Sequence, residues 1–366
     1  MATQPCSSSV VVAPRASTAR RLLSAAVALQ GRAAGYGADR RGTRRRTVGR
    51  RPSRPAVRWA AASVVAALTS ALLVAGAPAA QAADLGRYGA AFDRSPSAVG
   101  SLGGSGAGDA ALRAKLTSSP VADWYGDWNT AVGADVAQRV DAAAARGGVA
   151  VLVTYDIPRR DCSTGSGARS AAQYRSWIRD FASGLAADRA IVVVEPDALA
   201  LEGCLSAAGR AQREALLRYA VARIGATGSW VYLDAGHAGW QTPATMAGRL
   251  RRAGIVHAAG FSLNVANYRP TTDSLTYGTA LSGLTRGTHF VIDTGRNGGR
   301  TAPGDWCNAA GAGLGQQPTT HTASALADAY LWIKPPGYSD GTCHGGPPAG
   351  QWYPDAARSL ARHAAF

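Results

Sequence analysis

Acidic residues are scarce in this sequence, most of all near its start. Among 366 residues there are 39 Lys and Arg but only 23 Asp and Glu, so the formal net charge is +16. Residues 1–82 contain thirteen arginines and one acid, Asp39, which leaves 16 − 12 = +4 for residues 83–366. A nucleic-acid-binding protein needs its positive charge on the folded domain. The charge distribution therefore argues against nucleic acid as a partner.

The basic start has the order of a secretory signal. An Arg-rich stretch precedes the apolar run WAAASVVAALTSALLVAGA and the small residues PAAQAAD. This order predicts cleavage at Ala80-Gln81-Ala82. An uncleaved membrane anchor is the alternative, since the apolar run is close to the length that spans a bilayer. We expect residues 1–82 to be a removed leader and residues 83–366 to be a secreted domain that is not bound to a membrane.

Cysteine is also scarce, and its spacing is unlike that of zinc sites. Cys6 falls in the predicted leader, which leaves Cys162, Cys204, Cys307 and Cys343. Because no C-x-x-C pair or His-rich segment accompanies them, no metal is expected. An even number of cysteines in an exported chain predicts two disulfides. Three pairings are possible, and the simplest is the local one, 162 with 204 and 307 with 343.

Signs of a nucleotide cofactor or a second domain are missing. The stretch GAGLG at 311–315 follows WCNAA rather than a strand, so it is not a dinucleotide fingerprint. No Ser/Pro/Thr-rich linker follows residue 83. We expect a single domain over residues 83–366, with no cofactor and no separate binding module.

Apolar runs alternate with helical patterns along this domain. The runs are PVADWYGDW, VAVLVTYDIP, AIVVVEPDAL, SWVYLDAGH, GFSLNVANY, HFVIDTGRNG and AYLWIKPPG. Nearly continuous Val and Ile indicate strands that are buried on both faces. Their alternation with helices indicates parallel strands joined by helical crossovers.

Polar side chains follow the ends of these runs. They are Asp161, Asp197, Asp234, Asn264, Asn267, Arg296 and Lys334. In a (β/α) barrel the carboxyl ends of all strands meet at one end, where active sites are built. In an open doubly wound sheet only the strands beside the switch point would serve a site. The pattern favours an α/β fold with a distorted, TIM-like, seven-stranded (β/α) barrel and a cleft at the C-terminal ends of its strands.

The segment VVVEPDALA places two acids directly after a buried strand. Burial raises the pKa of a carboxyl, so Asp197 could stay protonated near neutral pH and donate a proton. Asp161, one strand earlier, would raise that pKa further by repulsion. Paired carboxyls beside aromatic rings are typical of glycoside hydrolysis. Glu195 is expected to be a structural acid, whereas Asp156 and Asp234 would orient their neighbours.

Seven motifs, in order, resemble those of glycoside hydrolase family 6, the secreted endoglucanases and cellobiohydrolases. They are TYDIPRRDCS, VVVEPDALA, YLDAGHAGW, LNVANY, VIDTGRNG, WCN and WIKPPGYSDGTC, and the match covers residues 120–353. The resemblance implies a distorted seven-stranded barrel with a substrate cleft. It also implies hydrolysis of β-1,4-glucosidic bonds with inversion.

The resemblance also assigns catalytic roles. It makes Asp197 the general acid and Asp161 the carboxylate that raises the acid's pKa and helps to activate water. It makes Asp340 the residue discussed as the base. It further implies that a serine in the loop after Asp161 relays the water's proton; Ser166 is the first candidate and Ser163 the second.

Eight positions match residues that line sugar subsites in the family. They are Trp124, Tyr155, His237, Trp240, Asn264, Arg296, Trp306 and Lys334. Tyr155 matches a tyrosine that presses against the distorted sugar at the cleavage point. Tyr338 stands where the family usually has a glutamate that holds a sugar hydroxyl, which leaves the preference on the non-reducing side open.

The loops that would roof the cleft are short. Cys204 follows Asp197 after a few residues, the span from Cys307 to Cys343 is compact, and WQTP lacks the second tryptophan of the family's exo-enzymes. These features favour an endoglucanase with an open cleft over a cellobiohydrolase. Because no separate binding module is expected, we expect action on soluble or amorphous β-glucan, and a monomer is the default expectation for a secreted hydrolase. The third interpretation is a non-catalytic glucan-binding protein on the same scaffold, which would usually have lost one of the three acids.

Overall fold

Seven parallel strands form the centre of the fold. The computed structural model describes residues 85, 92, 107–117, 119–185 and 188–366, so the predicted leader and its cleavage site lie outside the described residues. The strands are β1 (Asp123–Gly126), β2 (Val151–Tyr155), β3 (Ile191–Val194), β4 (Trp230–Asp234), β5 (Gly260–Leu263), β6 (His289–Asp293) and β7 (Ala327–Leu331). Each strand pairs in parallel with the next along the chain.

Helices connect the first six strands. The α-helices of the described residues, including those at the two ends, are α1 (Ala107–Thr117), α2 (Val132–Ala144), α3 (Ala171–Gly184), α4 (Ala207–Gly225), α5 (Pro243–Arg252), α6 (Thr271–Leu284) and α7 (Pro354–Arg362). Helix α1 precedes β1 and α7 follows β7, whereas the chain between β6 and β7 contains no helix. None of the helices in the described part of the chain has the length and apolar character that a membrane span requires.

Hydroxyl side chains begin three of these helices. Ser170, Ser206 and Thr242 precede α3, α4 and α5, and each accepts a hydrogen bond from a backbone N–H in the first turn. Such caps satisfy N–H groups that have no partner within the helix. Each cap fixes the residue at which its helix begins. It therefore also fixes where the preceding loop, at the carboxyl end of a strand, must end.

Strand residues alternate between two apolar layers. Leu152 of β2 packs beneath the surrounding helices. Val151 and Val153, on the other face, belong to a cluster that also contains Trp230 of β4 and Leu331 of β7. Strands from both halves of the sheet therefore share one interior core, and the sheet must curl around it.

The curled sheet is joined across its gap by two hydrogen bonds. No strand ladder links β1 to β7 in the described residues. Instead, the N–H of Ala122 donates to the carbonyl of Trp332 at 2.9 Å, and the Trp124 indole donates to the carbonyl of Ile333 at 2.8 Å. The predicted distorted, seven-stranded barrel is confirmed, in the form of a curled half-barrel.

Helices α2 and α3 pack closely at Gly184, so we expect this position to be sensitive to a larger side chain. A Cβ on Gly184 would meet the Gly133 carbonyl and would lie 2.8 Å from Cβ of Val136. Gly184→Ala should therefore lower the free energy of unfolding by about 1–3 kcal/mol, measured by urea denaturation. Gly203→Ala is the control, because nothing lies within 4 Å of its added Cβ. Equal losses in the two variants would contradict the packing argument.

Candidate active site

Three acids lie in loops at the end of the barrel where the strands end, which we call the mouth. Asp161 lies in the water loop, residues 156–170 between β2 and α3. Asp197 lies in the acid loop, residues 195–206 between β3 and α4, and Asp340 follows β7. The charges of Asp161 and Asp340 both raise the pKa of Asp197, so the fold brings the three predicted acids together.

Asp197 occupies a left-handed backbone conformation, with φ of 68°. Its N–H donates a 2.9 Å hydrogen bond to Oδ1 of Asp234 at the end of β4. Burial raises the pKa of Asp197 well above its ordinary value, and the charges of Asp234 and Asp161 raise it further, while Lys334 opposes them. The carboxyl can therefore keep its proton at a pH where an exposed aspartate is ionised.

Asp161 is held by its own loop. The Tyr155 hydroxyl donates to its Oδ1 at 2.8 Å, and Nε of Arg160 lies 3.5 Å from its Oδ2. The Asp161 N–H donates to Oγ of Ser166 at 3.3 Å, and this hydroxyl donates to the carbonyl of Ser163 at 3.3 Å. Of the two candidate serines, Ser166 is the one whose hydroxyl lies against Asp161.

Arg160 lies close to two aromatic rings, and it was not among the predicted site residues. Its guanidinium is 4.8 Å from the ring centre of Tyr155 and 5.5 Å from that of Trp128. Nη1 also donates to Asp127 at 3.0 Å. Stacking and ion pairing together fix an arginine plane. The RRDC motif was the available signal, because it places Arg160 directly before Asp161.

Asp340 is surrounded by donors. Nη1 of Arg296 lies 2.9 Å from Oδ1 and 2.8 Å from Oδ2, the Tyr268 hydroxyl donates at 2.6 Å and the Asn308 N–H at 2.9 Å. Lys334 Nζ lies 3.6 Å away. Burial alone would raise the pKa of Asp340, but the charges of Arg296 and Lys334, with hydrogen bonds, hold it below its usual value. Asp340 is therefore an ionised, tightly bound carboxylate.

Asn308 and Tyr268 were not predicted as site residues. Asn308 uses its backbone N–H on the Asp340 carboxylate and its side-chain oxygen on the Asp340 N–H, each at 2.9 Å. Its position directly after Cys307 in WCN was the only sequence signal. Tyr268 holds Asp340 through its side-chain hydroxyl, whereas Asn308 does so through contacts that involve the backbone of one residue or the other.

Aromatic side chains flank the acids. Tyr155 meets Trp124 edge-on, with ring centres 5.3 Å apart, and both rings are buried. His237 and Trp240 lie 5.1 Å apart after β4, and Trp240 remains partly exposed. Trp306 is also partly exposed, in the chain between β6 and β7. Indole rings suit the apolar faces of pyranose rings, and these two remain partly accessible.

Three of the predicted sugar-binding residues hold the mouth together in this structure. The Asn264 amide donates to the Asp293 carbonyl at 2.8 Å and accepts from the Arg269 N–H at 3.0 Å. Arg296 and Lys334 are buried and contact Asp340. Their contact with sugar stays a prediction, as do the subsite roles of Trp124, Tyr155, His237, Trp240 and Trp306.

Strand-end carboxylates fasten the neighbouring loops. Glu195, the expected structural acid, accepts hydrogen bonds from the N–H groups of Asp156 and Ile157 and from the Tyr174 hydroxyl. Asp293 at the end of β6 accepts from backbone N–H groups of three loops: those of Ala266, Gly295, Ile333 and Lys334. The loop positions at the mouth are thus tied to the sheet by charge-assisted bonds.

The sequence profile described as "Glycosyl hydrolases family 6" matches residues 87–364, most of the chain. The chain belongs to glycoside hydrolase family 6. The resemblance seen in the seven motifs is thereby confirmed. In family 6 terms, the three acids and the partly exposed indoles form the candidate active site.

Two endoglucanases are similar to this chain in sequence. Endoglucanase A of Cellulomonas fimi is 43% identical over 259 residues, which are 70% of this chain and 57% of that protein. Endoglucanase 1 of Streptomyces halstedii is 40% identical over 265 residues, 69% of this chain and 81% of that protein. The chain thus spans little more than half of the first relative and most of the second.

A solved family 6 structure has the same fold. The endoglucanase Cel6 of Mycobacterium tuberculosis, in complex with methyl-cellobiosyl-4-deoxy-4-thio-β-D-cellobioside, is 43% identical, with a TM-score of 0.68. The match covers 74% of this chain and 96% of that one.

Two disulfides join the loops of this family 6 site. Cys162 bonds to Cys204, which ties the water loop to the acid loop. Cys307 bonds to Cys343, which ties the Trp306 segment to the segment after Asp340. The local pairing is the one that forms. Within the described residues, no group of three or more His, Cys, Asp or Glu side chains could hold a metal ion.

His237 predicts a pH-dependent stability. Burial lowers its pKa from 6.5 to about 4. The unfolded chain binds a proton near pH 6.5, whereas the folded protein does so only near pH 4. This contribution to stability is therefore complete above pH 6.5 and is lost as the pH falls toward 4. It is on the order of 3 kcal/mol.

The variant His237→Gln cannot titrate, so its free energy of unfolding should fall less between pH 7 and pH 4.5 than that of the wild type. Urea denaturation at both pH values measures this. His321→Gln, at an exposed position, is the control. An unchanged pH slope in His237→Gln would contradict the role of burial.

Proposed function

We propose that this family 6 member is an inverting endo-β-1,4-glucanase that hydrolyses internal bonds of cellulose or related β-glucans. The carrying observation is the Asp197 carboxyl, whose pKa is raised by burial and by Asp234 and Asp161 at the mouth. Such a carboxyl is suited to protonate a leaving glycosidic oxygen. The endoglucanase names of the relatives, and the cellobiose-derived ligand of the tuberculosis enzyme, support a β-1,4-glucan substrate.

The proposed reaction is a single displacement. Asp197 donates its proton to the glycosidic oxygen as the bond to the anomeric carbon breaks, and a water attacks that carbon from the opposite face. Inverting enzymes hold the acid and base about 6.5–9.5 Å apart so that this water fits. Asp161 takes the water's proton with the help of Ser166 and then releases it to solvent, while Asp197 regains a proton from solvent.

Asp340 is less suited to take that proton. Arg296, Tyr268 and Asn308 donate to its oxygens, so a proton could bind only after some of these bonds were lost. Its lowered pKa also makes it a weak base. We therefore propose that Asp340 is a fixed anion that holds Arg296 and Lys334 in place.

Short loops support internal cutting. Only eight residues, 235–242, separate β4 from α5, and Thr242 already caps that helix. Trp240 therefore has one residue, Gln241, between it and the cap, which leaves no length for a roof. An endo-acting enzyme needs an open cleft for an internal chain segment. A cellobiohydrolase remains the alternative within the family.

Tyr338 bears on substrate preference. Its ring meets Trp352 edge-on at 5.5 Å. A phenol hydroxyl in place of a carboxylate forms a weaker hydrogen bond to a sugar hydroxyl. We propose that binding on the non-reducing side relies more on ring contact than on a charged acceptor.

Export is part of the proposal. Two disulfides are typical of proteins that fold in an oxidising compartment. Residues 1–82 would be the removed signal, with the catalytic domain over residues 83–366 and a monomeric, secreted enzyme. No cofactor is invoked at any step.

The first test uses protein from Ala83 onward with its Asp197→Ala variant. On carboxymethylcellulose and mixed-linkage β-glucan, the wild type should lower viscosity quickly while releasing few reducing ends. Asp197→Ala should lose at least about 10³-fold in kcat, because the leaving oxygen must then depart unprotonated. An unchanged Tm serves as the folding control. If the wild type binds glucan but releases no ends, the non-catalytic interpretation is correct; slow thinning with many ends indicates a cellobiohydrolase.

The second test concerns the pH profile. Asp234→Asn removes a negative charge that raises the pKa of Asp197 but keeps an oxygen that can accept the Asp197 N–H. The basic limb of kcat/KM, which reports loss of the acid's proton, should therefore move to lower pH. Ser262→Ala is the comparison variant, since it removes a hydroxyl that donates to Asp234 at 3.1 Å but keeps the carboxyl, so its basic limb should move less than that of Asp234→Asn. A basic limb that does not move in Asp234→Asn rejects Asp197 as the titrating acid.

A further inference from the structure

Arg213, on α4, is a buried cation that the proposed mechanism does not use. Its side chain is almost completely inaccessible, at 2% exposure. The hydrogen bonds that it makes within the described chain go to backbone carbonyls rather than to a carboxylate. Burial of a charge is costly unless the fold compensates it. An arginine at such a position therefore implies a task that an apolar side chain could not perform.

The carbonyls that Arg213 binds belong to two different loops. Nη1 donates to Ala198 at 3.1 Å, the residue directly after Asp197 in the acid loop. Nη2 donates to Pro158 at 3.2 Å and to Arg159 at 2.5 Å in the water loop, two positions before Asp161. One planar guanidinium thus joins the segment of the general acid to the segment of the second carboxylate.

The disulfide Cys162–Cys204 joins the same two loops at a second point. Cys162 directly follows Asp161, and its Cα lies 6.0 Å from that of Cys204. A single link leaves two segments free to pivot about it. Two links, one covalent and one through Arg213, restrict both the separation of the loops and their relative rotation.

We propose that Arg213 is a positioning residue that sets the separation between the carboxyls of Asp161 and Asp197. The inference rests on the proposed inverting reaction, in which that separation must admit one water. Arg213 acts only through backbone carbonyls and does not touch the sugar. A misplacement of about 1 Å in a catalytic group can cost on the order of 10²-fold in rate.

Arg249, on α5, provides a matched control. Its Nη1 donates to the carbonyls of Leu199 and Ala200, at 2.6 Å and 3.1 Å, and its Nε lies 3.5 Å from Glu202. It is a second arginine that binds the acid loop through carbonyls, but its hydrogen bonds and ion pair within the described residues do not reach the water loop. Comparison of the two arginines separates the bridging of two loops from the support of one.

The direction in which the basic limb of kcat/KM moves distinguishes loss of the Arg213 charge from movement of the loops. The charged groups that act on Arg213 are Glu202, Glu195, Arg159 and Asp161. Those that act on Asp197 are Asp234, Asp161, Lys334 and Asp340. Loss of the Arg213 charge alone would favour protonated carboxyls and move the basic limb of kcat/KM to higher pH. Separation of the loops would weaken the repulsion between Asp161 and Asp197 and move that limb to lower pH.

The experiment compares Arg213→Met, Arg213→Lys and Arg249→Met in the protein from Ala83 onward, with cellotetraose and soluble β-glucan over a range of pH. Arg213→Met should lose about 10²-fold in kcat with little change in KM, and its basic limb should move to lower pH. Arg213→Lys keeps the charge but not the two-armed fork, so it should show part of both effects. Arg249→Met should lower Tm with a loss in kcat below about fivefold and no shift of the limb.

A cycle with Cys162→Ser/Cys204→Ser adds an independent check. If the disulfide and Arg213 set the same separation, their effects should not be independent. The loss in kcat when both are removed should then differ from the product of the two single losses. The inference is overturned if Arg213→Met matches Arg249→Met, or if its basic limb moves to higher pH. If Arg213→Met does not fold, Arg213→Lys decides by the same criteria.

The fate of the proposed function is distinguishable from that of this inference. An inactive wild type, or an active Asp197→Ala, rejects the proposed function. An active wild type and inactive Asp197→Ala, with Arg213→Met indistinguishable from Arg249→Met, reject only the role of Arg213.

Discussion

The site depends on a carboxyl, that of Asp197, which is partly buried beside other negative charges. An isolated chain would not hold Asp197 in this state, because burial and repulsion from Asp234 and Asp161 both oppose its ionised form. Other residues at the mouth hold the Asp197 carboxyl in this environment. Its N–H is fixed to Asp234, and strand-end acids such as Glu195 fasten the adjoining loops to the sheet.

The three acids have the same chemistry and three different environments. Asp197 has like charges around it and a raised pKa, whereas Asp340 has Arg296 and Lys334 and a lowered one. Asp161 lies against a tyrosine hydroxyl and an arginine whose guanidinium is 4.8 Å from the ring centre of that tyrosine. One mouth can therefore hold a proton donor, a fixed anion and a water-activating group at the same pH, which is what a single displacement at a sugar carbon requires.

Much of the fold could be predicted from the sequence, because local patterns of apolar and polar residues indicate its strands and helices. Near-continuous apolar runs mark all seven strands, and acids at their ends mark the mouth. What could not be predicted are contacts between residues far apart in the chain: Arg213 reaches carbonyls more than fifty positions away, and Asn308 supports Asp340 through backbone groups. The spacing of apolar residues along the chain does not indicate which distant residues will contact each other. Asn264 illustrates the converse, since its polar type suggested a ligand contact but both ends of its amide are bonded to backbone.

The central claim is that a water, rather than a protein carboxylate, attacks the sugar in the gap between the acid and its partner. Proton NMR of the first products from cellohexaose, recorded before mutarotation, tests it most directly. The account predicts that the newly formed reducing end appears as the α-anomer, because one displacement inverts the β-linkage. Initial appearance of the β-anomer would mean two displacements and a covalent intermediate, and would contradict the account.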